Sequence, residues 1–452
     1  TDFVDNSGGV DSSDHEVNIK ILLNEACKRG ELTIKQRNKM LADMTEDVAA
    51  LVLRDNYLQS QAISTLELRS KADLFEHAHT IRSLELSGHL DRALEFLPSA
   101  EEIEDRHRAG QGLTRPELAV LLSYAKMTLY QRLIDSDVPE DPYLSQELNR
   151  YFPALIERRF GRKLKQHRLR REIIATATTN SIVNRMGAAF ARRVQEDTGA
   201  SAASVVRAYA IAREAFAMRN TWSDIESLDN KIAAATQYDM MHETARLLRF
   251  GTYWLLRHQP NSLNIDEQVQ RFRRGLTELD DAIPRVLSGA DLAAYESRYE
   301  QYRAANVPEA LSNRMATLNA LRSGMDLVEI SERTRLAIDR AAIIYFGVGT
   351  ALSLDWLRER IEVLEADGHW QAVARTTLRD NVYELQRALC LQVLRSRPRG
   401  SVKEILDEWM AANKQAVDSV RQTMTEMRSL PEMDFATLSV AVQAVRRLSR
   451  DE

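Results

Sequence analysis

Cysteine is nearly absent: Cys27 and Cys390 are the only two in 452 residues, and they stand far apart. Such a pair supports neither a disulfide framework nor a thiolate metal site, so a reducing cytoplasm is the simplest setting. Proline (10) and glycine (17) are scarce for this length, and few turns with few breakers argue for long helices. No apolar run approaches the length of a membrane span. Neither sign of charge dominates, since 61 Lys and Arg face 66 Asp and Glu for a net charge of -5, which gives no general reason to expect nucleic acid or membrane as a partner. Also missing are a strand followed by Gly-x-Gly-x-x-Gly with a later ribose-binding acid, a Walker loop, a Gly-x-Ser-x-Gly elbow, His-Glu-x-x-His and any Cys/His cluster. The nine histidines are scattered.

What is present fits a globular protein of more than one packed unit, with 44% hydrophobic and 28% charged residues. The stretch that stands out is the first, Asp5-Asn6-Ser7-Gly8-Gly9-Val10-Asp11-Ser12-Ser13-Asp14-His15-Glu16. Its glycine pair lets the backbone turn sharply or approach a ligand closely. Ser13 and Glu16 have capping-box spacing, and Val17, Ile19, Ile21, Leu22 and Leu23 follow, so a glycine loop is expected to feed a helix N-terminus suited to an anion. Asp14, His15 and Glu16 are consecutive and cannot converge on one ion, so no metal site is expected there. Phe3-Val4 offers the end of one strand.

The rest reads as helices. Thr114-Arg115-Pro116-Glu117 is a helix start with an N-cap threonine, a first-turn proline and a capping glutamate, and Leu118, Leu121, Leu122, Ala125, Leu129 and Leu133 form the stripe behind it. Residues 158–171, RRFGRKLKQHRLRR, hold eight Lys or Arg. Without aromatic or base-reading partners this run reads as solvated helix faces, or as a positive surface meeting an acidic one, rather than a nucleic-acid site. Asn180, Asn184 and Arg185 interrupt an apolar helix and are expected to join an interhelix hydrogen-bond network. Gly347-Val348-Gly349 lacks a third glycine and a preceding strand, and is expected to be a helix–helix turn. The five tryptophans, at 222, 254, 356, 370 and 409, fit anchors in helix packing.

The opening stretch resembles the Asn-Ala-Gly-Gly-Val-x-x-Ser-x-x-Glu loop of glutamate dehydrogenases, and its wording, DNSGGVDSSDHEVNIKILL, looks most like the large-subunit bacterial NAD-specific kind. A second, independent point of resemblance is GLTRPELAVLLSYAKMTLYQRL at residues 112–133. The resemblance implies an all-α fold, with a short strand-loop-helix remnant of a dinucleotide-binding catalytic domain at the N-terminus. It implies three parts: residues 1–112 as the tail of the catalytic domain, 113–259 as a helical subdomain and 260–452 as a C-terminal helical subdomain. The first residue, Thr1, is in keeping with a piece of a longer protein whose catalytic lysine and aspartate lie upstream, so the 452 residues alone are expected to be inactive.

By position in the family motif, Asn6, Gly8 and Gly9 fall on the NAD side, while Val10 and Ser13 fall at the substrate side-chain carboxylate. Asp11 and Asp14 flank the serine pair where ordinary members carry apolar or aromatic residues, and a carboxylate ligand there requires a basic residue from elsewhere to offset them. The implied reaction is oxidation of L-glutamate to 2-oxoglutarate and ammonium with reduction of NAD. Implied partners are the upstream catalytic domain and, by family, further copies in a homo-oligomer. The competing reading from another class is an all-helical protein-interaction scaffold without an enzyme role.

Overall fold

The computed structural model describes residues 7–261, 263–365, 368–395 and 400–449. Asn6 and the expected strand at Phe3-Val4 lie outside them. The described residues are all-α, and no strand occurs among them. The chain divides into two compact units, Thr1–Ala210 with Leu255–Asp266, and Ile211–Trp254 with Glu267–Glu452.

The first unit opens with a single π-helical turn, Ser7–Asp11, that runs directly into α1 (Ser12–Lys28). There follow α2 (Ile34–Asp43), α3 (Thr45–Arg69), α4 (Leu74–Leu86), α5 (Ala100–Arg108), α6 (Arg115–Ile134), α7 (Gln146–Tyr151), α8 (Ala154–Leu164), α9 (Arg170–Met186), α10 (Phe190–Thr198) and α11 (Ala202–Ala215). Their starts obey local chemistry. Thr33 with Gln36 and Ser99 with Glu102 form capping boxes. At α6 the expected start is present: the Thr114 N–H and hydroxyl both donate to Glu117 Oε2, at 2.7 and 2.8 Å, and Arg106 grips the same carboxylate with two hydrogen bonds. All six residues of the expected α6 stripe are buried, and that stripe packs on α9 and α3. Gly112 allows the chain to enter α6 past the end of α3, because a Cβ there would lie 2.4 Å from the Ser70 backbone carbon.

Three of the eight basic residues of the run are paired within this unit, and five, Arg158, Arg159, Arg162, Lys165 and Arg168, are exposed. Lys163 pairs with Glu31, Arg170 and Arg171 pair with Glu140, and Arg171 also donates to the Ile134 carbonyl at 2.7 Å. Arg185 reaches across to Gln61 at 2.8 Å, as expected of an interhelix network, whereas the buried Asn184 Oδ1 accepts no hydrogen bond.

The second unit holds α12 (Met218–Glu226), α13 (Ala234–His258), α14 (Ile265–Val286), α15 (Gly289–Ala304), α16 (Glu309–Leu321), α17 (Gly324–Thr334), α18 (Ile338–Ala351), α19 (Leu354–Glu362), α20 (His369–Arg395), α21 (Val402–Ala412), α22 (Lys414–Arg428) and α23 (Phe435–Leu448), with the division falling inside α11, α13 and α14. Two expectations are corrected here. Gly347 and Gly349 lie inside α18 rather than in a turn, and a Cβ on Gly349 would sit 2.6 Å from Gln386 Nε2, so this glycine admits a close neighbour. Trp222, Trp254 and Trp409 are buried anchors, but Trp370 is 80% exposed. No helix among the described residues is long and apolar enough to cross a membrane.

Candidate functional site

The glycine stretch is helical, which corrects the expected open loop. Neither Gly8 nor Gly9 adopts a positive φ, and a Cβ on Gly8 would meet nothing within 4 Å. Ser13 is exposed and caps nothing: the π turn carries the helix back past it, so the N–H groups of a free N-terminus are not presented there. Glu16 pairs instead with Lys20, one turn on. Gly8, Gly9, Val10 and Ser13 are all exposed, with Val10 at 60%.

The inner face is polar and crowded. His15 is only 2% exposed and stacks on Tyr151 with ring centroids 4.4 Å apart. Its Nε2 lies 3.8 Å from Asp11 Oδ1, and neither ring nitrogen makes a hydrogen bond. One turn further, Asn18 donates to the Tyr151 hydroxyl at 2.8 Å, and that hydroxyl donates to Asp14 Oδ2 at 2.6 Å. His167 Nε2 closes the group 3.0 Å from the Asn18 carbonyl.

Two further residues meet Asp11 from other helices. Asp55, on α3, brings a carboxylate oxygen within 4.8 Å of one of Asp11, and Lys126, on α6, is 7% exposed with its charge favouring the ionised form of both acids. Lys126 Nζ also donates to Gln59 at 3.3 Å. Burial is the chief cause of three shifts. It pushes the Asp11 carboxyl up to about 7, helped by the negative charges of Asp55 and Asp14. It raises Asp55 against the pull of Lys126 and Arg54. It lowers Lys126 to about 8, although both acids favour the ammonium. Burial likewise lowers His15, so its imidazole stays neutral.

Asp11, His15 and Asp55 each bring one ligand atom within 4.8 Å of the others, which is close enough to surround a cation. Sequence reading passed over Asp55, Lys126 and Tyr151. A signal existed: Lys126 stands between Leu122 and Leu129 on the apolar stripe of α6, where a lysine must be buried and partnered.

Residues 110–447 match the family described as glutamate dehydrogenase, C-terminal, and residues 1–66 match bacterial NAD-glutamate dehydrogenase, catalytic domain. The chain belongs to the bacterial NAD-specific glutamate dehydrogenase family. Proteins named NAD-specific glutamate dehydrogenase from Halomonas elongata and Pseudomonas aeruginosa are each 41% identical to it, over 98% and 100% of this chain. The one from Mycobacterium tuberculosis is 33% identical over 100% of the chain. The chain spans 28% of the length of each of these relatives. Within the glutamate dehydrogenase family match, the polar cluster has two sources: Asp11, His15 and Asp55 fall in the catalytic-domain segment, while Lys126 and Tyr151 fall in the C-terminal segment.

Proposed function

We propose that this chain is the C-terminal portion of an NAD-dependent glutamate dehydrogenase, which converts L-glutamate, NAD and water to 2-oxoglutarate, ammonium and NADH. The observation that carries the reading is the pair of family matches, one over residues 1–66, which holds the glycine stretch, and one over residues 110–447. In this reading residues 1–112 complete the catalytic domain, and residues 113–259 and 260–452 form helical subdomains that serve in packing, assembly or regulation. The family reading brings with it a homo-oligomer and a cytoplasmic setting.

The Ser7–Asp11 turn would then form one wall of the active site. Asn6, Gly8 and Gly9 face NAD, and Val10 and Ser13 face the substrate carboxylate. The support is the exposure of Gly8, Gly9, Val10 and Ser13 on the outer side of a turn whose inner side is tethered. The open space beside Gly8 suits a bulky cofactor close to the backbone. When bound, NAD accepts the hydride from glutamate; these residues contribute contact and orientation only. The catalytic lysine and aspartate expected of the family lie upstream, so the 452 residues alone give no turnover.

The test is glutamate-dependent NADH formation by the chain expressed with its natural upstream sequence. Activity is expected there and not in the 452 residues alone. Asn6→Ala and Ser13→Ala in the longer protein should each lower kcat/KM by about tenfold or more, the scale of one lost hydrogen bond to a charged group. Unchanged kinetics in both would remove these residues from the site.

A further inference from the structure

His15 is the least accounted-for residue of the cluster. It is 2% exposed, yet neither ring nitrogen makes a hydrogen bond, and Asp11 Oδ2 is also buried without one. Buried polar atoms ordinarily find a partner, so an orphaned imidazole beside an orphaned carboxylate oxygen points to a group that bonds to both. The ring is held by its stack on Tyr151, which leaves both nitrogens available. Helical spacing explains the approach. Asp11 ends the π turn with helical dihedrals, φ -68° and ψ -38°, so His15, four residues on, shares its face. Its Nε2 accordingly lies 3.8 Å from Asp11 Oδ1. The third donor comes from far along the chain: α3 packs on both the turn and α1 and brings an Asp55 oxygen within 4.8 Å of the other two atoms. This trio is not the consecutive Asp14-His15-Glu16, whose acids turn elsewhere, Asp14 to Tyr151 and Glu16 to Lys20.

We propose that Asp11, His15 and Asp55 form a binding site for a zinc ion, which clamps the Ser7–Asp11 turn to α3. One imidazole nitrogen with two carboxylate oxygens is a zinc donor set, whereas magnesium and calcium take oxygen shells. Tetrahedral zinc bonds of about 2.0–2.2 Å set neighbouring donors roughly 3.3–3.6 Å apart. The His15–Asp11 separation of 3.8 Å is close to that, and small side-chain rotations bring in Asp55. Lys126 adds a positive charge near both acids, so the ion is held by donor chemistry rather than by net charge, which further disfavours the hard cations. Asp11 and Asp55 are only part-buried, which gives the ion a way in and leaves the fourth position to water. The site lies on the inner side of the turn, opposite the exposed Val10 and Ser13, and does not rest on the function proposed above.

The test uses the 452-residue chain without an affinity tag, stripped with a chelator and then dialysed against zinc chloride. Elemental analysis is expected to find zinc retained in equal number to chains. Calorimetric titration should show zinc binding at least about tenfold more tightly than magnesium or calcium. His15→Gln and Asp55→Asn keep size and polarity, and each should weaken zinc by about tenfold or more. Zinc at about ten times its Kd should slow amide exchange at residues 8–15 about tenfold, as mass action requires of a ligand that holds the turn closed.

No zinc retained by the unmodified chain overturns the site, and that result needs no variant. Zinc held equally well by both variants is an adventitious ion only and overturns it too. Tighter binding of magnesium or calcium overturns the assignment to zinc. Zinc binding that leaves exchange at residues 8–15 unchanged overturns the clamp. If a variant fails to fold, the unmodified chain decides: protection by zinc confined to residues 8–15 and the middle of α3 supports the site, and protection elsewhere overturns it.

Discussion

Each unit buries a knot of charge, and the two knots behave in opposite ways. In the first unit burial outweighs the nearby Lys126 and Arg54 and raises both acids, Asp55 and Asp11, the latter to about 7. In the second, Glu243 is faced by Arg246 at 3.0 Å, Arg322 at 3.5 Å and Arg298 at 3.6 Å, while Glu362 is faced by Arg246 at 3.4 Å and Arg379 at 3.5 Å. Burial alone would raise Glu243, but Arg246, then Arg298 and Arg322, hold it below its ordinary value. Glu362 is held down in the same way, by Arg379 first. Arg322 and Arg379 also lie over the Phe250 ring, at 5.2 and 4.4 Å from its centre. The lesson is one of ratio and of cation type. Where arginines outnumber acids, and arginine does not deprotonate, the knot is a fixed strut. Where burial outweighs the nearby cations, the knot titrates.

The largest effect that would break this comparison lies in the second unit. Glu243→Gln leaves three guanidinium groups around a neutral amide at a site 6% exposed, and it should destabilise that unit by ~3–5 kcal/mol. All five tryptophans lie in the second unit, so urea unfolding followed by tryptophan fluorescence reports this loss without interference from the first. A midpoint unchanged from the unmodified chain would mean that the arginines are solvated and the strut is not one. Because Glu243 is held low, its contribution is present above its ordinary value of 4.5 and is lost as pH falls below that.

The first knot should respond in the opposite direction. The raised value of Asp11 means that the fold prefers its protonated form, so its contribution is complete below 3.8 and is lost as pH rises through about 7. The charged and titratable groups facing it are Asp14 and His15 on α1, Arg54 and Asp55 on α3 and Lys126 on α6. Between about pH 4 and pH 7 opening of the turn should ease by up to about tenfold per pH unit, the limit for one proton, and it should level off above pH 7. Hydrogen exchange at residues 8–15 checks this once the intrinsic rise in exchange rate is divided out. Asp11→Asn, which cannot ionise, should flatten the profile, and a slope that survives the substitution assigns the titration to another group.

How much of this was legible in the sequence follows the same division between apolar and polar logic. The α6 stripe and its Thr114–Glu117 start were readable, because apolar spacing and capping are local rules. Lys126 was not, since a stripe is found by its apolar members and the lysine within it is passed over. The acids its charge favours are 71 and 115 residues away, by subtraction from Asp55 and Asp11, and no local rule brings them together. Glycine misled twice. Read as a breaker, it suggested a loop at Gly8-Gly9 and a turn at Gly347–Gly349, yet both stretches are helical, and at Gly349 the missing Cβ makes room for Gln386. Ser13 failed as a cap for a related reason: the Ser-x-x-Glu spacing is genuine, but the helix begins before it.

The smallest expected effect tests whether the first knot includes its outer ring. Tyr151→Phe keeps the stacking surface under His15 and removes only the hydroxyl that donates to Asp14 at 2.6 Å and accepts from Asn18 at 2.8 Å. Asn18 retains Asp14 as a second acceptor at 3.2 Å, so the loss should be about 1 kcal/mol, the net value of one hydrogen bond. Tryptophan fluorescence does not see it, which makes amide exchange in α1 the proper readout, with a several-fold acceleration expected there. If the substitution instead speeds exchange across all of residues 8–15, the turn is held chiefly through Asp14 and the Tyr151 hydroxyl. That result would also narrow the contrast between the two units, because the first would then be held by a neutral hydroxyl and not by shared charge.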